Sequence, residues 1–179
     1  RVNSHTPPWP VPKILSLAKK GRLDAALFAG VTINTPSMLV IEDAIDALSW
    51  AENLGGVRGL IARVEASFAA MNEWVANSPN YAFLAADPAT VSQTSVCLRL
   101  ADDWYTGLAA NQQKAVVKDV EALLAAEDVA IDISAYRDAP TGLRIWCGPT
   151  VDPDDIAALL PWLDWAYVQT RAQYQADAA

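Results

Sequence analysis

Two arginines, Arg137 and Arg144, stand seven positions apart in AYRDAPTGLRIWCG, residues 135–148, on either side of an Asp-Ala-Pro-Thr-Gly turn. Arg144 interrupts a run otherwise made of Leu143, Ile145, Trp146 and Cys147. A guanidinium in such a strand is costly unless it meets a carboxylate or a phosphate, two of whose oxygens it can bind bidentately. Pro140 and Gly142 restrict the connection, which would hold both guanidiniums at a set separation. The chemistry suggested is a receptor for a small molecule with two anionic groups; the plainer alternative is a pair of solvated charges. A second polar cluster, TINTPS, puts Asn34 and Thr35 at the expected start of a helix, where free N–H groups favour an anion such as phosphate. Helix capping alone would also account for those residues.

Other chemistries find little support. His5 is the single histidine and sits in a proline-rich arm, which leaves no Ser-His-Asp or Cys-His pair without it and no second imidazole for zinc. It reads as structural or solvent-exposed. Asp152, Asp154 and Asp155 resemble a metal cluster but fit better as the cap and first-turn acids of a helix. No GxGxxG or P-loop pattern occurs. Cys97 and Cys147 lie in apolar segments without metal-ligand spacing and read as buried free thiols in a reducing cytoplasm. The net charge of -8 argues against a nucleic-acid or anionic-membrane surface. No apolar run is long enough to span a bilayer, and no signal-peptide pattern opens the chain.

The elements that must position the arginines follow from periodicity. With 53% hydrophobic and 19% charged residues, the 179-residue chain can bury a sizeable core. SHTPPWPVPK, with four prolines, reads as an extended arm; ILSLAKKGRL could form one short helix; FAGVTINTP is β-branched and turn-ended. Thr35-Pro36 suggests a cap and first helical residue, with Met38, Ile41, Ile45 and Leu48 following at helical spacing and Gly55-Gly56 as the stop. A second helix carries Val57, Leu60, Ile61, Val64, Phe68, Met71 and Val75 on one stripe. Strands are expected at 81–85, 95–100, 129–134 and 143–147, a helix at 114–127, and a final helix from Asp152-Pro153. Trp50, Trp74, Trp162 and Trp165 sit on helices and are expected in the core. On strand 143–147, Arg144 and Trp146 share one face, while Leu143, Ile145 and Cys147 share the other. The order implies an α+β fold with a small, mostly antiparallel sheet and helices packed on one side.

TINTPSML, a helix ending in Gly-Gly, DPATVSQTSVCLRL, DISAYRDAPTGLRIWCG and ALLPWLDWA together resemble the phosphoserine aminotransferase family. The resemblance runs from PPWPVPK to LPWLDWA. It implies the C-terminal part of a fold-type I, class V enzyme that uses pyridoxal 5'-phosphate, works as a cytoplasmic homodimer in serine biosynthesis, and exchanges an amino group between phosphoserine and 2-oxoglutarate. It implies that Asn34 and Thr35 contact the cofactor phosphate bound by the other subunit, and that Arg144 holds the substrate α-carboxylate. Arg137, with Tyr136 before it, would bind the side-chain phosphate across the dimer interface. Tyr136 stands where many members have His, so it can donate one hydrogen bond but carries no charge near neutral pH. Val91 stands where the family has an arginine, and no role is assigned there.

The family's Schiff-base lysine, the Asp facing the pyridine nitrogen and the stacking aromatic would all precede this chain. None of Lys13, Lys19, Lys20, Lys114 and Lys118 lies in a matching context. The expectation is that residues 1–35 are the tail of the large cofactor domain and residues 36–179 the small domain with its linking helices. The isolated chain should then be inactive. Two rivals stand beside this: another class V pyridoxal-phosphate aminotransferase, or a stand-alone α+β ligand-binding or dimerisation module.

Overall fold

The computed structural model describes residues 8, 9, 12, 18, 19 and 21–177, and these form two compact units, Arg1–Trp50 and Ala51–Ala179. His5, residues 14–17 and most of the proline-rich arm lie outside the described residues.

In the first unit, the described part of ILSLAKKGRL, for which a short helix is expected, forms a hairpin. Strand β1 (Ala18–Lys19) pairs antiparallel with β2 (Arg22–Leu23), and Gly21 between them takes φ +74°, a conformation that favours glycine and turns the chain back. A 3-10 turn over Ala25–Ala29 follows, started by the Asp24 carboxylate accepting from the Ala26 N–H and ended at Gly30, φ +85°. Helix α1 (Met38–Asn53) begins two residues later than Pro36 would suggest. The Ser37 carbonyl accepts its first bond, from the Ile41 N–H, which leaves Thr35 and Pro36 in the approach. No residue of α1 is buried; Met38, Leu39, Val40, Ile45 and Leu48 are all exposed, and Trp50 is not the core residue expected.

The second unit is built on helix α2 (Gly56–Asn77), strands β3 (Tyr81–Phe83) and β4 (Ser95–Leu100), the short α3 (Asp103–Thr106), α4 (Ala110–Ala126), β5 (Leu143–Trp146) and α5 (Pro153–Asp177). The three strands make one antiparallel sheet in the order β3-β4-β5. The alternation in SVCLRL sends Val96, Leu98 and Leu100 into the core and leaves Arg99 exposed. Helices α2 and α4 both pack on α5. The α+β fold with a small antiparallel sheet and helices on its apolar side is therefore present.

The expected strand at 129–134 does not form. Asp128 and Asp132 take positive φ, 55° and 57°, which breaks an extended run, and only an isolated bridge joins Ser134 to Leu143. The α2 stripe is also shorter than its periodicity suggests. Met71 is fully buried and Phe68 and Val75 pack on the core, but Val57 and Ile61 near the start are exposed. Among the tryptophans, Trp74 meets the expectation: it lies 4.9 Å from the Tyr81 ring, and its indole N–H donates to Asp164. Trp165 also packs against the core, whereas Trp162, edge-on against it, is exposed.

The phenol of Tyr81 is buried and donates to the Leu163 carbonyl at 2.9 Å; Tyr167 packs edge-on against it at 6.0 Å. Burial raises the pKa of both phenols far above the ordinary 10.0, with the charge of Asp164 adding to the effect at Tyr81 and that of Asp102 at Tyr167. A raised folded-state pKa means that the unfolded chain loses these protons first, so their stabilisation is complete below pH 10 and declines above it. Each such phenol should remove about 1.4 kcal/mol per pH unit beyond that point. Chemical denaturation between pH 8 and 11 should therefore show a steep alkaline loss of stability that Tyr81→Phe makes shallower. An equal slope in the variant would show that Tyr81 does not set it.

Candidate functional site

Positions on the outer face of the sheet are set by strand register. Val96 pairs with Ile145, Cys97 with Arg144 and Leu98 with Leu143. Leu143, Ile145 and Cys147 are buried, while Trp146 is 45% exposed on the side shared with Arg144, as the alternation predicts. Trp146 donates its indole N–H to the Thr150 hydroxyl at 3.0 Å.

Arg144 is nevertheless well covered, its side chain only 16% exposed. The segment before β5 folds over it: the Tyr136 ring lies 4.7 Å from the guanidinium carbon, and Nη2 faces both the Asp132 carboxylate at 3.5 Å and the Asp132 carbonyl at 3.4 Å. The Arg144 Nε is buried without an acceptor. A buried donor left unpaired costs about 1–3 kcal/mol, so this guanidinium is only partly satisfied by its own chain. Its ionic partner is weak, because Asp132 is 88% exposed and solvent screens the pair.

The two arginines of the loop do not line one cleft. Arg137 lies in a depression of about 390 Å³ between α4 and residues 134–142, lined also by Lys114, Lys118, Glu121, Ser134 and Tyr136. Arg144 is not part of that lining. Tyr136, 67% exposed, touches both places, since it lines the cleft and stacks on Arg144. Lys114 and Lys118 were not singled out from the sequence. The signal available was KAVVKDVE, two lysines four residues apart on the same helical stripe as Glu121. Asn34 and Thr35 belong to the first unit, where both are exposed just before α1.

The other polar groups weighed in the sequence have structural occupations. Asp152 accepts from Arg63 and, through its carbonyl, from the N–H groups of Asp155 and Ile156 at the start of α5; Asp154 and Asp155 follow in the first turn. Both cysteines are free; Cys147 is buried, and Cys97 is half-buried rather than buried. Desolvation pushes the Cys147 thiol up to about 11, which keeps it protonated and poorly nucleophilic near neutral pH. No helix among the described residues is long and apolar enough to cross a membrane.

No family model matches the chain. Its sequence is 44% identical over 167 residues to the phosphoserine aminotransferase of Methanosarcina barkeri, a match that takes in 93% of this chain and 42% of that protein. The phosphoserine aminotransferase of a Nocardioides species is 32% identical over 136 residues, 75% of this chain and 33% of that one. The chain thus spans less than half the length of the relatives it matches. Among solved structures, a phosphoserine aminotransferase from Bacillus circulans subsp. alkalophilus superposes with a TM-score of 0.67 at 19% identity, over 86% of this chain and 38% of that one. At that identity the likeness carries the fold alone.

Gly142 ties the arginine loop to the sheet. A Cβ there would come within 2.1 Å of the Leu98 carbonyl oxygen, so only glycine fits unless the backbone moves. Gly142→Ala should cost about 1–3 kcal/mol of stability, as overpacking of a tight site does. Denaturant titration at neutral pH measures it, and an unchanged midpoint would show that the loop is free to shift.

Proposed function

We propose that this chain, which corresponds in sequence and in fold to the C-terminal portion of phosphoserine aminotransferases, is the substrate-clamping part of an enzyme that exchanges an amino group between phosphoserine and 2-oxoglutarate. The reverse direction uses glutamate and 3-phosphohydroxypyruvate, and the biosynthetic setting is serine formation in the cytoplasm. The observation that carries this reading is Arg144, a guanidinium held on a strand of apolar residues with a buried Nε that has no acceptor. Such a group suits the planar α-carboxylate of an amino acid, which can accept two parallel N–H bonds. Arg137, in its cleft beside α4, is assigned the side-chain phosphate, with the Tyr136 hydroxyl as a further donor.

The cofactor of this reading is pyridoxal 5'-phosphate. The Asn34 amide and the Thr35 hydroxyl stand exposed ahead of α1, whose first N–H groups have no helical acceptor because the earliest bond is made by Ile41. That donor set fits a phosphate, and Asn34 and Thr35 would hold the one belonging to the cofactor of a second subunit. The bound cofactor supplies the electron sink for amino transfer, while this chain binds and orients the substrate's two anionic ends. On the same reading the enzyme is a homodimer, residues 1–35 belong to its large domain and residues 36–179 are its small domain. None of the chain's lysines lies in a sequence context matching the family's cofactor lysine, so the 179-residue chain alone is inactive.

A chimera tests this. Replacing the matching portion of the Methanosarcina barkeri relative with this chain should give a protein that transfers the amino group of phosphoserine to 2-oxoglutarate. Arg144→Gln should lower kcat/KM about 100-fold for phosphorylated and unphosphorylated amino donors alike. Arg137→Gln should lower it for phosphoserine and spare the unphosphorylated donor. If Arg137→Gln leaves the preference for phosphoserine unchanged, a different class V substrate is indicated. The 179-residue chain mixed with pyridoxal phosphate should show no turnover; measurable transfer by it would refute the assignment of inactivity.

A further inference from the structure

Resting on the phosphoserine reading, we infer that the cleft beside α4 is a phosphate receptor in which Lys114 and Lys118 act together with Arg137, replacing the charge that Tyr136 does not carry. Three cations converge on this cleft from two separate elements, α4 and residues 134–142. Among the described residues no carboxylate lies within ion-pair distance of Lys114, Lys118 or Arg137; the pairs that form involve Arg63, Arg144 and Arg171. The two carboxylates nearest to Lys118 in sequence are already engaged. Glu121 accepts from the Ser134 hydroxyl at 2.7 Å, and Asp119 from the Tyr174 hydroxyl at 2.7 Å.

The local charge decides what the cleft can take. Lys114 and Lys118 are four residues apart on one helical face, an arrangement of like charges that is mildly unfavourable in an isolated helix. With Arg137 across the cleft and Glu121 as the single acid in the lining, the net local charge is about +2 in a chain whose total is -8. A phosphate monoester, which carries roughly two negative charges at neutral pH, matches that balance. A single carboxylate would leave one cation unanswered. Tyr136 lines the cleft with a hydroxyl and no charge, so the positive charge beyond that of Arg137 comes from α4.

Calorimetric titration of the 179-residue chain at fixed ionic strength with inorganic phosphate, O-phosphoserine and serine tests the inference. Phosphate and phosphoserine should bind through this cleft and serine should not, and the double variant Lys114→Gln/Lys118→Gln should weaken both phosphorylated probes about tenfold. Arg58→Gln, on α2, should change neither affinity. Far-ultraviolet circular dichroism confirms that the exposed lysine substitutions keep the helix. Phosphoserine binding that is lost in Arg137→Gln but untouched in the double lysine variant would overturn the inference and leave the assignment of Arg137 standing. Lysine-dependent binding of phosphate without binding of phosphoserine would support the anion receptor and count against the phosphoserine reading. Absence of phosphate binding to the unsubstituted chain would overturn the inference outright.

Discussion

The pairing register of β4 and β5 is the constraint on which the site depends. Side chains alternate with a period of two, so a slip by one residue would turn Arg144 into the core and expose Leu143 and Ile145. The register is held from both sides. Val96 and Leu98 of β4 and Leu143 and Ile145 of β5 are each at most 2% exposed, so the apolar face would have to be given up entirely for the strand to shift. Gly142 adds a steric stop, because its α-carbon lies against the Leu98 carbonyl with no room for a side chain. Arg144 is thus placed by hydrophobic burial on the opposite face, more than by its own contacts with Asp132.

The helices supply the stiffness behind that sheet. Tyr81 of β3 reaches the Leu163 carbonyl of α5, Trp74 of α2 reaches Asp164 of the same helix, and Arg171 further along α5 pairs with Asp102 at the start of α3. These three ties join α5 to three different elements. Trp104, Tyr167 and Tyr174 fill the space between them with edge-on and tilted ring contacts at 6.1–6.4 Å. Tyr174 then connects to α4 through Asp119, so the face that carries Lys114 and Lys118 belongs to the same braced layer.

Sequence patterning revealed this architecture unevenly. The strand at 95–100 and the opposed faces of 143–147 were legible because alternation and burial agree there. Helix α5 was legible from Asp152-Pro153, which starts it as a cap and first residue should. The segment 129–134 alternates just as well, yet two aspartates in left-handed conformations override it, a tolerance of Asp that periodicity does not register. The first half of α2 has a proper helical stripe, yet Val57 and Ile61 on it are exposed. At the site, Arg144 stood out as a charge among apolar residues, whereas Lys114 and Lys118 look like ordinary surface lysines until the loop carrying Arg137 is set opposite them. Convergence of separate segments is the one property a linear pattern cannot display.

The small cap over Arg144 has a further consequence. The guanidinium is occupied before any ligand arrives, by an aromatic face and by a carboxylate that is mostly in water. On the proposed reading, binding at this position would be an exchange rather than a capture. An incoming carboxylate can take over from Asp132 at little net electrostatic cost, since one acid replaces another, while a neutral amide or ester would have to displace a charge and offer none in return. On that reading, a preference for the anionic form would already be present in the resting state, set by a residue that need never touch the ligand.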